Sequence, residues 1–118
     1  MLFRKEARTS FPRSNLAGGN GDLLGDYAIL PGKGPDNSAF TMLGEVTLMP
    51  GSSIGMHTHT ENEEIYIVLS GEGTYVDNDG SESIVKPGDT TLTRKGEKHS
   101  MANNGSEPLT FLAIIATH

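Results

Sequence analysis

The 118-residue chain holds four histidines, and two of them, His57 and His59, stand two positions apart. On a β-strand, alternate side chains share a face and lie roughly 7 Å apart. Two imidazoles so spaced can converge on one ion, each nitrogen about 2.1 Å from it. A carboxylate follows closely, at Glu63 or Glu64, and a chain reversal over residues 60–62 returns it beside the pair. His99 lies on a later segment that can pair alongside. Taken alone, a His-x-His pair on a strand is more often two solvated rings, and a single later histidine is more often a hydrogen-bonded one. Three imidazoles and a carboxylate together favour a metal centre.

Other chemistries find less support. The chain has no cysteine, which removes disulfides, thiolate ligands and a cysteine nucleophile. Any metal must then be held by nitrogen and oxygen. No Ser-His-Asp pattern with supporting glycines is present, so acyl transfer through a serine is not indicated. Glu63 and Glu64 are adjacent and face opposite sides of a strand, so they cannot flank one glycosidic bond. The run Gly18-Gly19-Asn20-Gly21 lacks the helix and lysine of a phosphate-binding loop and reads as a turn. A net charge of −6 and a pI near 5.0 argue against a nucleic-acid partner. No stretch of about 18 apolar residues is present to span a membrane, and no apolar core of a secretory leader is seen. The expectation is a cytoplasmic protein that meets a small molecule, with no nucleic acid and no membrane.

The elements that must position these residues are strands. With 118 residues and 35% hydrophobic content, the chain builds one core. Its 15 Gly and 6 Pro, with few helix-forming runs, point to short strands joined by tight turns. Strand-like runs lie at 23–30, 40–49, 54–59, 63–69, 74–76, 81–85, 90–93, 99–103 and 109–116. Phe40, Met42, Val46 and Leu48 share one face at period two. The segment around Ile65, Tyr66, Ile67 and Val68 is the strongest strand. Asp79-Gly80 suits a tight hairpin with positive φ. Ahead of these lies an arm over residues 1–20, with the domain proper over 21–118. Arg4, Lys5, Arg8 and Arg13 crowd the arm against Glu6 alone, which reads as a solvated tail or, less often, a docking arm.

Two segments together resemble the cupin motifs. The first is Gly51, five residues, His57-Thr58-His59, four residues, Glu64, six residues, Gly71. The second is Gly88, five residues, Arg94-Lys95-Gly96, two residues, His99, three residues, Asn103. Arg94 departs from the pattern, since the family usually has a proline there that stiffens the turn before the histidine. The two motifs cover about half of the chain. The resemblance implies an all-β jelly roll, the double-stranded β-helix or cupin barrel. It also selects Glu64 over Glu63 and implies one divalent metal ion (Mn, Fe, Zn or Ni) held by His57, His59, Glu64 and His99. Three imidazoles and one carboxylate leave two positions of a six-coordinate ion for a ligand.

Strand parity extends the reading. Tyr66 and Val68 share the face of Glu64, and Met101 and Asn103 share that of His99. Tyr66 is the candidate catalytic acid. Met42, Met101 and Asn103 are candidates for the substrate pocket, with Phe40 beside them. No Arg or Lys has the parity to reach inward from a strand, so a highly charged substrate is less attractive. A small hydroxy-, keto- or carboxylic acid, or a neutral sugar, fits better. With Glu64 inward, Ile65, Ile67 and Leu69 face outward and need a cover, either another part of this chain or a second subunit, and the family resemblance implies a homodimer. The expected function is that of a metal-dependent enzyme acting on a small oxygenated molecule by isomerisation, decarboxylation or dioxygenation. The alternative is a non-catalytic module that binds a small ligand.

Overall fold

The computed structural model describes residues 1–118. Ten strands carry the fold: β1 (Thr9–Ser14), β2 (Asp22–Ile29), β3 (Phe40–Leu48), β4 (Ser53–Thr58), β5 (Asn62–Ser70), β6 (Gly73–Val76), β7 (Glu82–Val85), β8 (Thr90–Thr93), β9 (Lys98–Ala102) and β10 (Leu109–Thr117). They form two antiparallel sheets, one in the order β1-β2-β3-β10-β5-β8 and the other in the order β4-β9-β6-β7. The sheets face one another as a jelly roll, the double-stranded β-helix that the motifs imply. No helix is long and apolar enough to cross a membrane.

Alternation along the strands decides what each sheet turns inward. On β5, Glu64, Tyr66 and Val68 are buried while Ile65 and Ile67 are half-buried on the outer face. On β10, Leu109, Phe111 and Ala113 point in. Leu48, Met101, Leu109, Phe111 and Val68 form the best-buried part of the core. Each large side chain so buried contributes roughly 1.5–3 kcal/mol. Met42, Val46 and Leu48 join this core, whereas Phe40, of the same parity, is 51% exposed at the strand's start.

The nine strands from residue 22 onward match the expected runs to within two residues at each end. The arm departs from expectation. Residues 9–14 are not a solvated tail but an edge strand, paired antiparallel with β2 from Thr9–Tyr27 to Ser14–Asp22. Pro12 is tolerated there because an edge strand has one side without ladder bonds. Phe11 turns inward and packs on Tyr27 with ring centroids 5.2 Å apart. The Arg8 guanidinium reaches Asp26 at 3.2 Å and Glu45 at 3.5 Å, so part of the arm's basic charge is met within the chain. Residues 15–20 then fold back onto β4. Gly19 and Gly55 allow that approach, since a Cβ on Gly19 would strike the Ser53 carbonyl and one on Gly55 would strike that of Ala17.

Candidate metal centre

Two adjacent strands of the smaller sheet present the histidines. On β4 the chain leads into the pair His57 and His59, and His57 stands directly opposite His99 of β9. Glu64 comes from β5 of the larger sheet, so the four side chains meet between the two sheets. Their ligating atoms all lie within 4.8 Å of one another. His99 Nε2 is 3.0 Å from His59 Nε2 and 3.1 Å from His57 Nε2. Glu64 Oε1 is 3.1 Å from Nε2 of both His59 and His99.

Those distances fit a shared ion. Donors about 2.1 Å from one centre stand about 3.0 Å apart at right angles and about 3.4 Å apart in a tetrahedron. Four of the six separations therefore match neighbouring corners of an octahedron, and the other two, from His57 to His59 and to Glu64, are no more than 4.8 Å.

The outer nitrogens fix which ring atoms face inward. Nδ1 of His57 donates to the Gly55 carbonyl at 2.8 Å. Nδ1 of His59 donates to the Asn62 carboxamide oxygen at 2.6 Å. Nδ1 of His99 meets the Thr93 hydroxyl at 2.7 Å and that of Tyr75 at 3.3 Å, and these two hydroxyls are 2.9 Å apart. A carbonyl oxygen only accepts, so the proton of His57 and of His59 sits on Nδ1 and leaves Nε2 bare. Convergent lone pairs with a carboxylate repel one another and attract a cation.

The electrostatics favour the ligand forms of His57 and Glu64 and the charged form of His59. Burial holds the His57 imidazole below its ordinary value, which favours the neutral ligand form. The Glu64 carboxylate raises His59. Burial alone would raise Glu64, but its contacts with His59 and His99 outweigh that and hold it below the usual carboxylate range. An ionised, 4% exposed carboxylate needs such partners, because an unpaired charge there is costly.

The turn before His99 is closed where the motif proline is replaced. Arg94 sets Nε at 3.1 Å from Glu97 Oε1 and its terminal nitrogen at 2.9 Å from Oε2, while the Arg94 N–H donates to Oε1 at 2.9 Å. Gly96 holds φ at 86°, and its N–H donates to the His59 carbonyl at 2.6 Å. The His59 N–H in turn donates to the Glu97 carbonyl at 2.9 Å, which ties this turn to the His-x-His segment.

A cavity of about 310 Å³ opens over three of the four donors, and His99, wholly buried, does not line it. His57, His59, Glu64 and Tyr66 form its polar side, and Met42, Leu23, Val46, Ile54 and Phe111 are among its apolar walls. Met101 and Asn103 lie elsewhere. Met101 is wholly buried against Gly73. The Asn103 amide donates to the carbonyls of Leu48 and Glu107, each at 2.8 Å, and so closes a loop. Tyr66 stacks on His99 with centroids 4.9 Å apart and planes 21° apart. Burial, then the neighbouring Glu64 charge, pushes its phenol well above the ordinary value, so it keeps its proton.

Sequence parity missed two kinds of residue. Thr93 and Tyr75, which back His99, come from β8 and β6, and only the packing of strands reveals the contact. Arg13 lines the cavity from β1, contrary to the expectation that no basic residue reaches inward. The clue available was Phe11, two positions earlier on the same face.

A family model for the cupin domain matches residues 44–115. An oxalate-binding protein from Thermotoga maritima is 38% identical over 115 residues, spanning 98% of this chain and 93% of that protein. A gentisate 1,2-dioxygenase from a Ralstonia species is 34% identical over 88 residues, which are 72% of this chain and 24% of the dioxygenase. The crystal structure of a predicted oxalate decarboxylase, also from Thermotoga maritima, superposes with a TM-score of 0.87 at 36% identity and covers 100% of both chains.

Proposed function

The chain belongs to the cupin family, and from that premise we propose that it holds one divalent ion through His57, His59, Glu64 and His99 and acts there on a small oxygenated molecule. The supporting observation is the set of four 3.0 to 3.1 Å separations that link His99 to His57, His59 and Glu64, and Glu64 to His59. Manganese, iron, zinc and nickel all suit this nitrogen and oxygen set. Such an ion supplies Lewis acidity toward a carbonyl or carboxylate oxygen.

The chain's own residues supply the rest. Glu64 brings negative charge to the donor set, and burial favours the neutral form of His57. The apolar walls exclude water and strengthen polar contacts inside. Tyr66 keeps its proton and serves as the acid that donates to a substrate oxygen. Met42 lies along the substrate. The reaction is an isomerisation, decarboxylation or dioxygenation. A second reading, binding without turnover, draws support from the oxalate-binding relative.

One experiment separates the two. The manganese-loaded protein is incubated with hydroxy, keto and carboxylic acids and neutral sugars, and each compound is followed by NMR. The enzyme reading expects one compound to be consumed by the wild type and left intact by His99→Ala. The binding reading expects line broadening of one compound without consumption, again lost in His99→Ala. Neither consumption nor broadening would contradict both.

The chain also acts as a homodimer in this proposal. Leu43, Ile114, Ile65 and Leu92 stand in register across the outer face of the larger sheet. Leu92 is 49% exposed and the other three are half-buried. A contiguous apolar row on an outer sheet face is what a second copy would cover.

A further inference from the structure

One basic side chain lines the cavity, Arg13 of β1. It shares the inward face of that strand with Phe11 and is half-buried. The chain's arginine salt bridges are made by Arg8 and Arg94, and none involves Arg13. Glu64 lines the same cavity, but its carboxylate is engaged with His59 and His99.

The two residues that follow Arg13 are tied down. The Ser14 hydroxyl donates to Asp22 at 2.7 Å, and the Asn15 N–H donates to the Gly21 carbonyl at 2.9 Å. The Arg13 guanidinium has no carboxylate partner within the chain and stands beside apolar walls. Its planar fork of N–H donors matches a carboxylate and makes two parallel bonds to one.

The walls narrow the ligand further. Leu16, Leu23, Met42, Val46 and Phe111 offer hydrocarbon surface in a cavity of about 310 Å³. Oxalate has two carbons, four oxygens and no C–H bond, so it buries nothing against such walls. An acid with a hydrocarbon body does.

We propose that Arg13 binds the carboxylate of an organic acid whose hydrocarbon body lies on these walls and whose second oxygen-bearing end faces the metal site on the side of His57, His59 and Glu64. The inference rests on the metal site proposed above. It makes Arg13 a specificity-determining residue for carboxylates longer than oxalate. The competing role for an inward charge on an edge strand is only to discourage pairing with another sheet edge.

The test uses the zinc-loaded full chain and titration calorimetry with glutarate, monomethyl glutarate and oxalate, with zinc content measured on the same samples. The wild type is expected to bind glutarate more tightly than either other acid. Arg13→Gln is expected to keep its zinc and thermal midpoint while losing about tenfold or more in glutarate affinity. Arg13→Lys keeps the charge without the fork and is expected to fall between them. Unchanged glutarate binding in a zinc-replete Arg13→Gln would overturn the proposal and leave the metal reading standing. Oxalate binding more tightly than glutarate in the wild type would overturn the claim about the hydrocarbon body. A wild type that takes up no zinc would contradict the metal reading, which zinc analysis reports separately. If that protein also binds no glutarate, Arg13 has no role in ligand binding.

Discussion

The Thr93 hydroxyl stands 2.7 Å from Nδ1 of His99, and both side chains are almost wholly buried. Strand β8 supplies the threonine and β9 the histidine, and Tyr75 of β6 supports both. For Nε2 of His99 to face the other donors bare, Nδ1 must donate to one of these hydroxyls. Outer partners of this kind are worth about 10- to 100-fold in metal affinity. Thr93→Val is therefore expected to weaken zinc binding by about that factor while the circular dichroism spectrum is retained. Calorimetry against a competing chelator measures it, and wild-type affinity would show that Thr93 does not orient the ring.

The core beneath the cavity depends on Phe111, which is wholly buried and packs on Tyr66 with centroids 4.6 Å apart. Phe111→Ala removes that contact and leaves a void, at an expected cost of about 3–5 kcal/mol in stability. Urea denaturation reads the change. A loss under about 1 kcal/mol would mean that neighbouring side chains refill the space, against the tight packing expected of a core.

The strand carrying Arg13 has its own pH dependence. The Ser10 hydroxyl, and after it the Arg8 guanidinium, hold the Asp26 carboxyl below its ordinary value. A depressed carboxylate contributes its stabilisation above the unfolded value of about 3.9 and loses it as pH falls through the folded value. Hydrogen-exchange protection of β1 amides is thus expected to drop below about pH 4, after correction for intrinsic exchange. Asp26→Asn should remove that dependence. If Asp26→Asn kept the same acid response, the pairing with Ser10 and Arg8 would not be its cause.

Association should depend on the outer face of β5 and β8. Ile65 and Leu92 are direct partners across those strands. The double variant Ile65→Lys, Leu92→Glu is expected to sediment as a monomer where the wild type sediments as a dimer, with zinc content unchanged. A wild type that is monomeric at high concentration would contradict the homodimer.

How far the sequence was legible follows from particular residues. Along β5 the period-two pattern put Glu64, Tyr66 and Val68 on one face, and the folded chain buries all three. The clustering of His57, His59, Glu64 and His99 was readable because two motifs fix their spacing. Strand β1 was not, because Thr-Ser-Phe-Pro-Arg-Ser holds one large apolar residue and a proline. Its extended form comes from pairing with β2, and the inward turn of Arg13 was hidden with it. Met101 and Asn103 show a different limit. Parity placed them on an inner face, and both are buried, Met101 on β9 and Asn103 just past its end, but parity gives the face and not the depth. Met101 sits two positions beyond His99, opposite Ile54 and Tyr75, and Asn103 serves the loop that follows. The role of Thr93 needed two strands from different sheets to meet.

The central claim is that His57, His59, Glu64 and His99 hold one divalent ion. Elemental analysis of the untagged protein, purified without added metal and again after soaking, tests it most directly, with His99→Ala alongside. The expected result is close to one divalent ion per chain in the wild type and little in the variant. A wild type that stays metal-free after soaking, or a His99→Ala protein that keeps a full complement, would contradict the claim.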